Sequence, residues 1–398
     1  KNPKNMAQVK LNSAELKDFI KHVINNNRFI QGQGKVPTAL NVVGNAGLGK
    51  TTIVSNLAKE EGMQFVKINL AMIEELSDLV GFPVKEFQIG KDTPDGLKTK
   101  WVTEMEAELA VKAGFKLTGA RRTAYCAPEW ISGKGESGIL LLDDYTRADP
   151  RMIQACMDLI NTQEYISWKL PKDWTIILTT NPDGGDYHVN SMDVAQTTRF
   201  ISCDLKFDVD CWAQWAEETA MDGRCINFIL KHPEVVTEST NPRAITTFFN
   251  AISSFEKFED NLPMIQMIGE GSVGADMTSL FTLFINNKLD QLMSPKDIIL
   301  HDNEDYIIGT LKSTVGRGDD YRADIASIMS TRIVNFALAH FKTNPMKSEV
   351  IKRFEKLVVD EIFAIDLKYM IVRNLINGNK QKFQKLMLND KVMEYTIR

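Results

Sequence analysis

Residues 44 to 52 read GNAGLGKTT, a spacing of glycines, one lysine and two hydroxyls that suits the holding of a phosphate chain. In the pattern G-x-x-x-x-G-K-[ST], here Gly44 to Thr51, the glycines let successive backbone N–H groups turn inward toward an anion. Lys50 then places an ammonium on the β and γ phosphates, and Thr51 offers a hydroxyl to Mg²⁺. Asn45, Ala46, Gly47, Leu48, Gly49 and Thr52 complete the cradle, and the expected ligands are ATP and Mg²⁺. The competing reading is a plain glycine turn. It is disfavoured because the apolar run ALNVV enters the loop and the helical sequence IVSNLAKEEG leaves it, the strand–loop–helix setting that the pattern needs.

A second group of residues lies at the ends of apolar runs. ILLL delivers Asp143 and Asp144, where one carboxylate can reach the Mg²⁺ hydration shell and the other can orient an attacking water. Asp143 is assigned to the metal side with Thr51, and Asp144 to the water. WTIILTTNP puts Asn181 at the end of another run, placed to sense the γ-phosphate, although Asn before Pro is also a common turn former. Arg199, in QTTRF, is a candidate to complete a neighbouring subunit's site as an arginine finger. Arg147, three residues beyond Asp144, is either an alternative interface cation or a surface partner of Asp144. Arg243, in NPRAIT, opens a helix and is placed to couple a lid to the nucleotide.

These residues require a scaffold that brings several strand ends together. Runs at 38–43, 64–70, 138–142, 174–180 and 200–206 are continuously apolar rather than alternating, which predicts strands covered on both faces: a parallel sheet with helices either side. The expected fold class is α/β, a P-loop core with a helical lid and a further helical C-terminal region. Residues 1–35 form an opening helix behind a Ser13 cap, 36–206 the core with an insert at about 71–137, 207–260 the lid, and 261–398 the helical remainder. GEGSVG (269–274) and GRG (316–318) read as spacers.

The succession GNAGLGKTT, LLLDDYTRADP, LTTNP, DVAQTTRF and TNPRA resembles the AAA+ ATPases, and in particular the MoxR-like family. LSDLVGFPV, APEWISGKGESGILLLDD, NPDGGDYHVNSMDVAQTTRF and WAQWAEE are similar to the MoxR-like pattern around those motifs, over roughly 30–255. The resemblance makes Gly44 to Thr52 Walker A, Asp143 and Asp144 Walker B, Asn181 sensor 1, Arg199 the arginine finger and Arg243 sensor 2. The departure is Asp144, where the family usually carries Glu. A side chain one methylene shorter sets its carboxylate about 1.5 Å back, a misplacement that can cost about 100-fold in rate.

The resemblance further implies a homo-oligomeric ring, a hexamer, that hydrolyses ATP to remodel or mature a protein partner, in relatives often one with a von Willebrand factor A domain. It also implies an insert hairpin that contacts substrate, with Phe82, Phe87 and Trp101 as candidates; closure of the insert onto the core explains those aromatics equally well. Two other readings stay open: a nucleic-acid-linked motor or nuclease-activating ATPase, and a scaffold that binds ATP but turns it over slowly.

The 398 residues are 43% hydrophobic and 25% charged, an ordinary globular composition with room for two or three domains. The net charge of −5 argues against a general nucleic-acid coat, with local exceptions at Arg121-Arg122 and KQKFQK (380–385). Five cysteines without a C-x-x-C pair suggest reduced thiols and a cytoplasmic setting, and five scattered histidines offer no metal-ligand spacing. No apolar run is long enough to predict a membrane span or a signal peptide.

Overall fold

Alternate residues of the central strands enter two different cores, which is why those sequences are mostly apolar. In the computed structural model, which describes residues 9–94, 96–182, 192, 194–287 and 292–394, Ile139 and Leu141 face one layer of helices and Leu140 and Leu142 the other. The chain divides into two compact units, Lys1–Lys206 and Phe207–Arg398.

The first unit opens with β1 (Val9–Leu11), α1 (Ser13–Gly32), β2 (Ala39–Val43), α2 (Lys50–Glu60) and β3 (Gln64–Asn69). An insert follows, with α3 (Leu76–Val80), β4 (Pro83–Thr93), β5 (Gly96–Thr103), α4 (Glu104–Lys112) and β6 (Lys116–Tyr125). The unit closes with β7 (Gly138–Asp143), α5 (Pro150–Thr162), the short pair β8 (Glu164–Tyr165) and β9 (Trp168–Lys169), β10 (Trp174–Thr180), α6 (Val194–Thr197) and β11 (Phe200–Leu205). Six strands make one sheet in the order β1-β11-β2-β10-β7-β3, and every pairing in it is parallel. α1 and α2 cover one face through Leu16, Ile20, Ile24, Val54 and Leu57; α5 covers the other through Met152, Ile153, Cys156, Leu159 and Ile160.

The opening helix is therefore part of the core layer. Its N-cap is Asn12 rather than Ser13, closed by a capping box with Glu15. The insert is more than a hairpin: β5-β4-β6 is an antiparallel sheet, with α4 packed on Ile89, Val102 and Phe87 through Ala107 and Ala110. Phe87 and Trp101 are partly buried under the guanidinium groups of Arg121 and Arg122, and of the three candidate aromatics only Phe82 is exposed.

The second unit is helical: α7 (Val209–Glu218), α8 (Gly223–Lys231), α9 (Pro242–Ile252), α10 (Leu262–Ser272), α11 (Ala275–Asn286), α12 (Pro295–Leu300), α13 (Glu304–Val315), α14 (Ala323–Thr343), α15 (Ser348–Val359), α16 (Ile365–Gly378), α17 (Lys380–Phe383) and α18 (Asp390–Glu394). It holds two apolar cores. One gathers α7 to α11 around Phe228, Phe248, Phe281 and Phe284; the other gathers α12 to α18 around Phe341, Phe354 and Phe383. A boundary at 260 cuts the first of these cores, because α10 and α11 contribute Ile265, Met277 and Phe281 to it. GEGSVG is no spacer at its start: Gly269 lies inside α10, where an added Cβ would come within 2.5 Å of Thr278 Oγ1 on α11.

Among the described residues no helix is long and apolar enough to cross a membrane, and no group of three or more His, Cys, Asp or Glu side chains is placed to hold a metal ion. None of the five cysteines forms a disulfide; burial pushes the Cys156 and Cys203 thiols up to about 12.

Candidate functional site

The loop between β2 and α2 has its shape because two of its glycines adopt backbone conformations that side chains resist. Gly47 and Gly49 have φ of 79° and 83°, and Gly49 is the N-cap of α2. The loop lies at the N-terminus of that helix, where free N–H groups and the helix dipole favour an anion. At Gly44 a Cβ would stand 3.2 Å from the Leu205 carbonyl oxygen, so the loop runs tight against β11.

Lys50 is the first residue of α2 and is 8% exposed. Its Nζ donates to the Gly44 carbonyl, to the Asn45 carbonyl at 3.1 Å and to Asn181 Oδ1 at 3.2 Å. Asn181 directly follows β10, so the ends of two adjacent strands meet on one ammonium.

On the next strand, Asp143 ends β7 and is 7% exposed. Thr51 Oγ1 lies 3.0 and 3.1 Å from its two carboxylate oxygens. Thr179 Oγ1 donates to Oδ1, and Lys67 Nζ pairs with Oδ2 at 3.1 Å. Burial works to raise the pKa of this carboxyl, but the bonds from Thr179, Lys67 and Thr51 outweigh it, and Asp143 titrates below the usual carboxylate range. It is therefore an anion at neutral pH. The 3.0 Å contact from Thr51 to Asp143 is a hydrogen bond, and it sets side by side two groups that would hold a Mg²⁺ ion. Hydroxyl and carboxylate oxygens are also the hard ligands that such an ion takes.

Asp144 follows in the left-handed region, with φ 55° and ψ 38°, and its N–H donates to Thr179 Oγ1 at 3.1 Å. Thr179 thus fixes both acidic residues through one hydroxyl. Arg147 is exposed, and among the described residues no ion pair joins it to Asp144.

Lys67 and Thr179 are the two site residues that sequence reasoning passed over. Thr179 had a usable signal: it lies two residues before Asn181 on a strand, and alternate strand residues share a face. Lys67 had none, being one more lysine in QFVKINL; the parallel pairing of β3 with β7 brings it to Asp143.

Arg199 immediately precedes β11. It is partly buried, and its Nη1 is shut away from solvent without a hydrogen-bond partner among the described residues. Arg243 belongs to the second unit, where it is exposed in the first turn of α9, behind the Asn241 N-cap. Residues 183–191 and 193, in the stretch between Asn181 and Arg199, lie outside the described residues.

A phosphate-type loop after a central strand, an acidic pair two strands away and a polar residue on the strand between them stand on one parallel sheet, and a helical unit follows in the chain. The architecture is an α/β fold with a P-loop-type connection on a parallel core sheet and a helical unit after it. No protein-family model matches the chain, and no curated protein matches it in sequence. Solved structures that match include a point mutant of Thermotoga maritima RuvB, 14% identical, with a TM-score of 0.34 over 78% of this chain and 86% of that one. Another is the Thermotoga maritima RuvB Holliday junction branch migration motor, 12% identical, with a TM-score of 0.32 over 83% of this chain and 95% of that one.

Proposed function

We propose that the chain is an ATP-hydrolysing motor that works as a homo-oligomeric ring on a macromolecular partner. Gly44 to Thr52 would hold the triphosphate, and Thr51 and Asp143 the Mg²⁺. Asp144 would orient the water, Asn181 would register the γ-phosphate, Arg199 would reach the next subunit's nucleotide, and Arg243 would link the helical unit to it. The supporting observation is the convergence of three strand ends: Lys50 Nζ on Asn181 Oδ1 at 3.2 Å and Thr51 Oγ1 on Asp143 at 3.0 Å. On the MoxR-type reading the partner is a protein, in relatives often one with a von Willebrand factor A domain.

A nucleic-acid partner is the second reading, and the distribution of charge favours it. Residues 342–398 carry twelve Lys and Arg against seven Asp and Glu, in a chain whose net charge is −5. The acidic average conceals that basic end. Lys342, Lys347, Lys380 and Lys385 are exposed, and Lys382 ties their segments together by donating to the Asn344 carbonyl at 2.8 Å.

Turnover of Mg·ATP by the purified chain is the first test. Lys50→Met should reduce both nucleotide binding and turnover to background, and unchanged turnover in that variant overturns the assignment. Duplex and single-stranded DNA, added over a salt series, separate the two partners: stimulation that falls steeply with salt supports the second reading.

A further inference from the structure

Three donors already face the Asp143 carboxylate. Thr51 has one hydroxyl proton, shared between Oδ1 at 3.0 Å and Oδ2 at 3.1 Å; Oδ1 also accepts from Thr179, and Oδ2 faces Lys67 Nζ at 3.1 Å. A divalent cation taken up at Oδ2 therefore meets the Lys67 ammonium there. The two threonine hydroxyls can turn, because a hydroxyl rotates to suit its partner and also carries lone pairs that face a cation well. Lys67 can do neither: its ammonium is a point charge with donors only, and two cations on one carboxylate oxygen repel.

We propose that Lys67 is the resident counter-ion of Asp143, displaced when Mg²⁺ arrives with the nucleotide, and that it thereby sets how much Mg²⁺ nucleotide binding requires. The inference rests on the reading of this site as one for Mg·ATP. Its geometry supports a movable rather than a fixed cation. The Asp143 side chain is 10% exposed, but that of Lys67 is 42% exposed, so the ammonium can swing into water at little cost. Lys67 pairs with Leu141, two residues before the Asn69–Asp143 pair, so the lysine stem reaches up the sheet to the carboxylate.

Binding of a fluorescent ATP analogue to the full chain, titrated with Mg²⁺ at fixed nucleotide, tests this directly. Lys67→Met should lower the half-saturating Mg²⁺ concentration by about three- to fivefold, the range of an ion pair with one half-exposed partner, while Lys67→Arg should leave it within about twofold. Binding in EDTA should be the same in all three proteins. A Mg²⁺ requirement that Lys67→Met leaves unchanged or raises overturns the inference alone. A wild-type chain that binds the analogue equally in Mg²⁺ and in EDTA overturns the reading of the site as well.

Discussion

Asp144 is where backbone geometry bears most directly on chemistry. A residue with φ 55° and ψ 38° sits in a region that costs most L-residues about 1–2 kcal/mol, Asp and Asn being the usual exceptions because their short polar side chains bond locally. The departure from Glu that the sequence shows therefore has a structural counterpart: the shorter acid suits this backbone, whatever it costs in reach. Asp144→Asn should fold as the native chain does and lose turnover by at least about 100-fold, the loss expected when a general base is removed. Asp144→Glu should be about 0.5–1 kcal/mol less stable on the backbone argument, while its carboxylate gains reach toward the water. Thermal unfolding and single-turnover hydrolysis measure the two effects separately. An Asn variant with native turnover removes Asp144 from the mechanism. The same residues show what the sequence conveys. Gly44 to Thr52, Asp143 and Asn181 were legible because each stands where an apolar run stops, and such runs end at the lip of a parallel sheet. Lys67 was not, because its role depends on the register between β3 and β7, which no local pattern encodes.

At the scale of elements, burial on both faces left a strong trace and packing between helices a weak one. β2, β7 and β10, buried along their whole length, were visible as near-continuous apolar runs; β3 and β11 were visible too but carry exposed positions at Lys67 and Ile201, and β1, three residues with an exposed-exposed-half-buried pattern, was not visible. Glycine misled at 269, since in sequence it marks a turn and here it lets α10 approach Thr278 closely. Nor did the sequence mark the buried ion pair that, beside the Lys231–Asp324 pair, links the two helical cores. Arg332 on α14 donates to Glu217 on α7 at 2.7 Å and to Asn227 Oδ1 on α8 at 3.1 Å, with the ion-paired side chains only 6% and 8% exposed. A Cβ on Gly223 would lie 2.5 Å from the same guanidinium, so α8 begins with the one residue that admits it. Removing one member of such a pair strands a buried charge and costs about 3–5 kcal/mol. Arg332→Met should destabilise the helical unit by that amount in urea unfolding. Arg332→Met with Glu217→Leu should recover most of it, since apolar side chains of similar volume often replace a buried ion pair without loss. If the double variant is no more stable than the single one, the pair is not what fastens α14 to α7.

For the whole molecule, the ring reading makes a demand that one subunit cannot satisfy. Lys50, Thr51 and Asp143 converge within the first unit, whereas Arg199 has one guanidinium nitrogen enclosed and unpartnered among the described residues. On the ring reading, the other guanidinium donors of Arg199 would serve a neighbour's phosphate. Head-to-tail contacts of this kind close into rings when the rotation permits. It follows that a loop defect and a finger defect should complement each other. Lys50→Met alone and Arg199→Ala alone should each be inactive, but in a mixture some interfaces join an intact loop on one subunit to an intact arginine on the next. Equimolar mixing should therefore restore up to about a quarter of wild-type turnover, the share of such interfaces under random assembly of a closed ring. Sedimentation in Mg·ATP should show both variants assembling with wild-type subunits. Mixtures as inactive as their components, or an Arg199→Ala protein that is fully active by itself, would confine catalysis to a single chain and remove the reason for a ring.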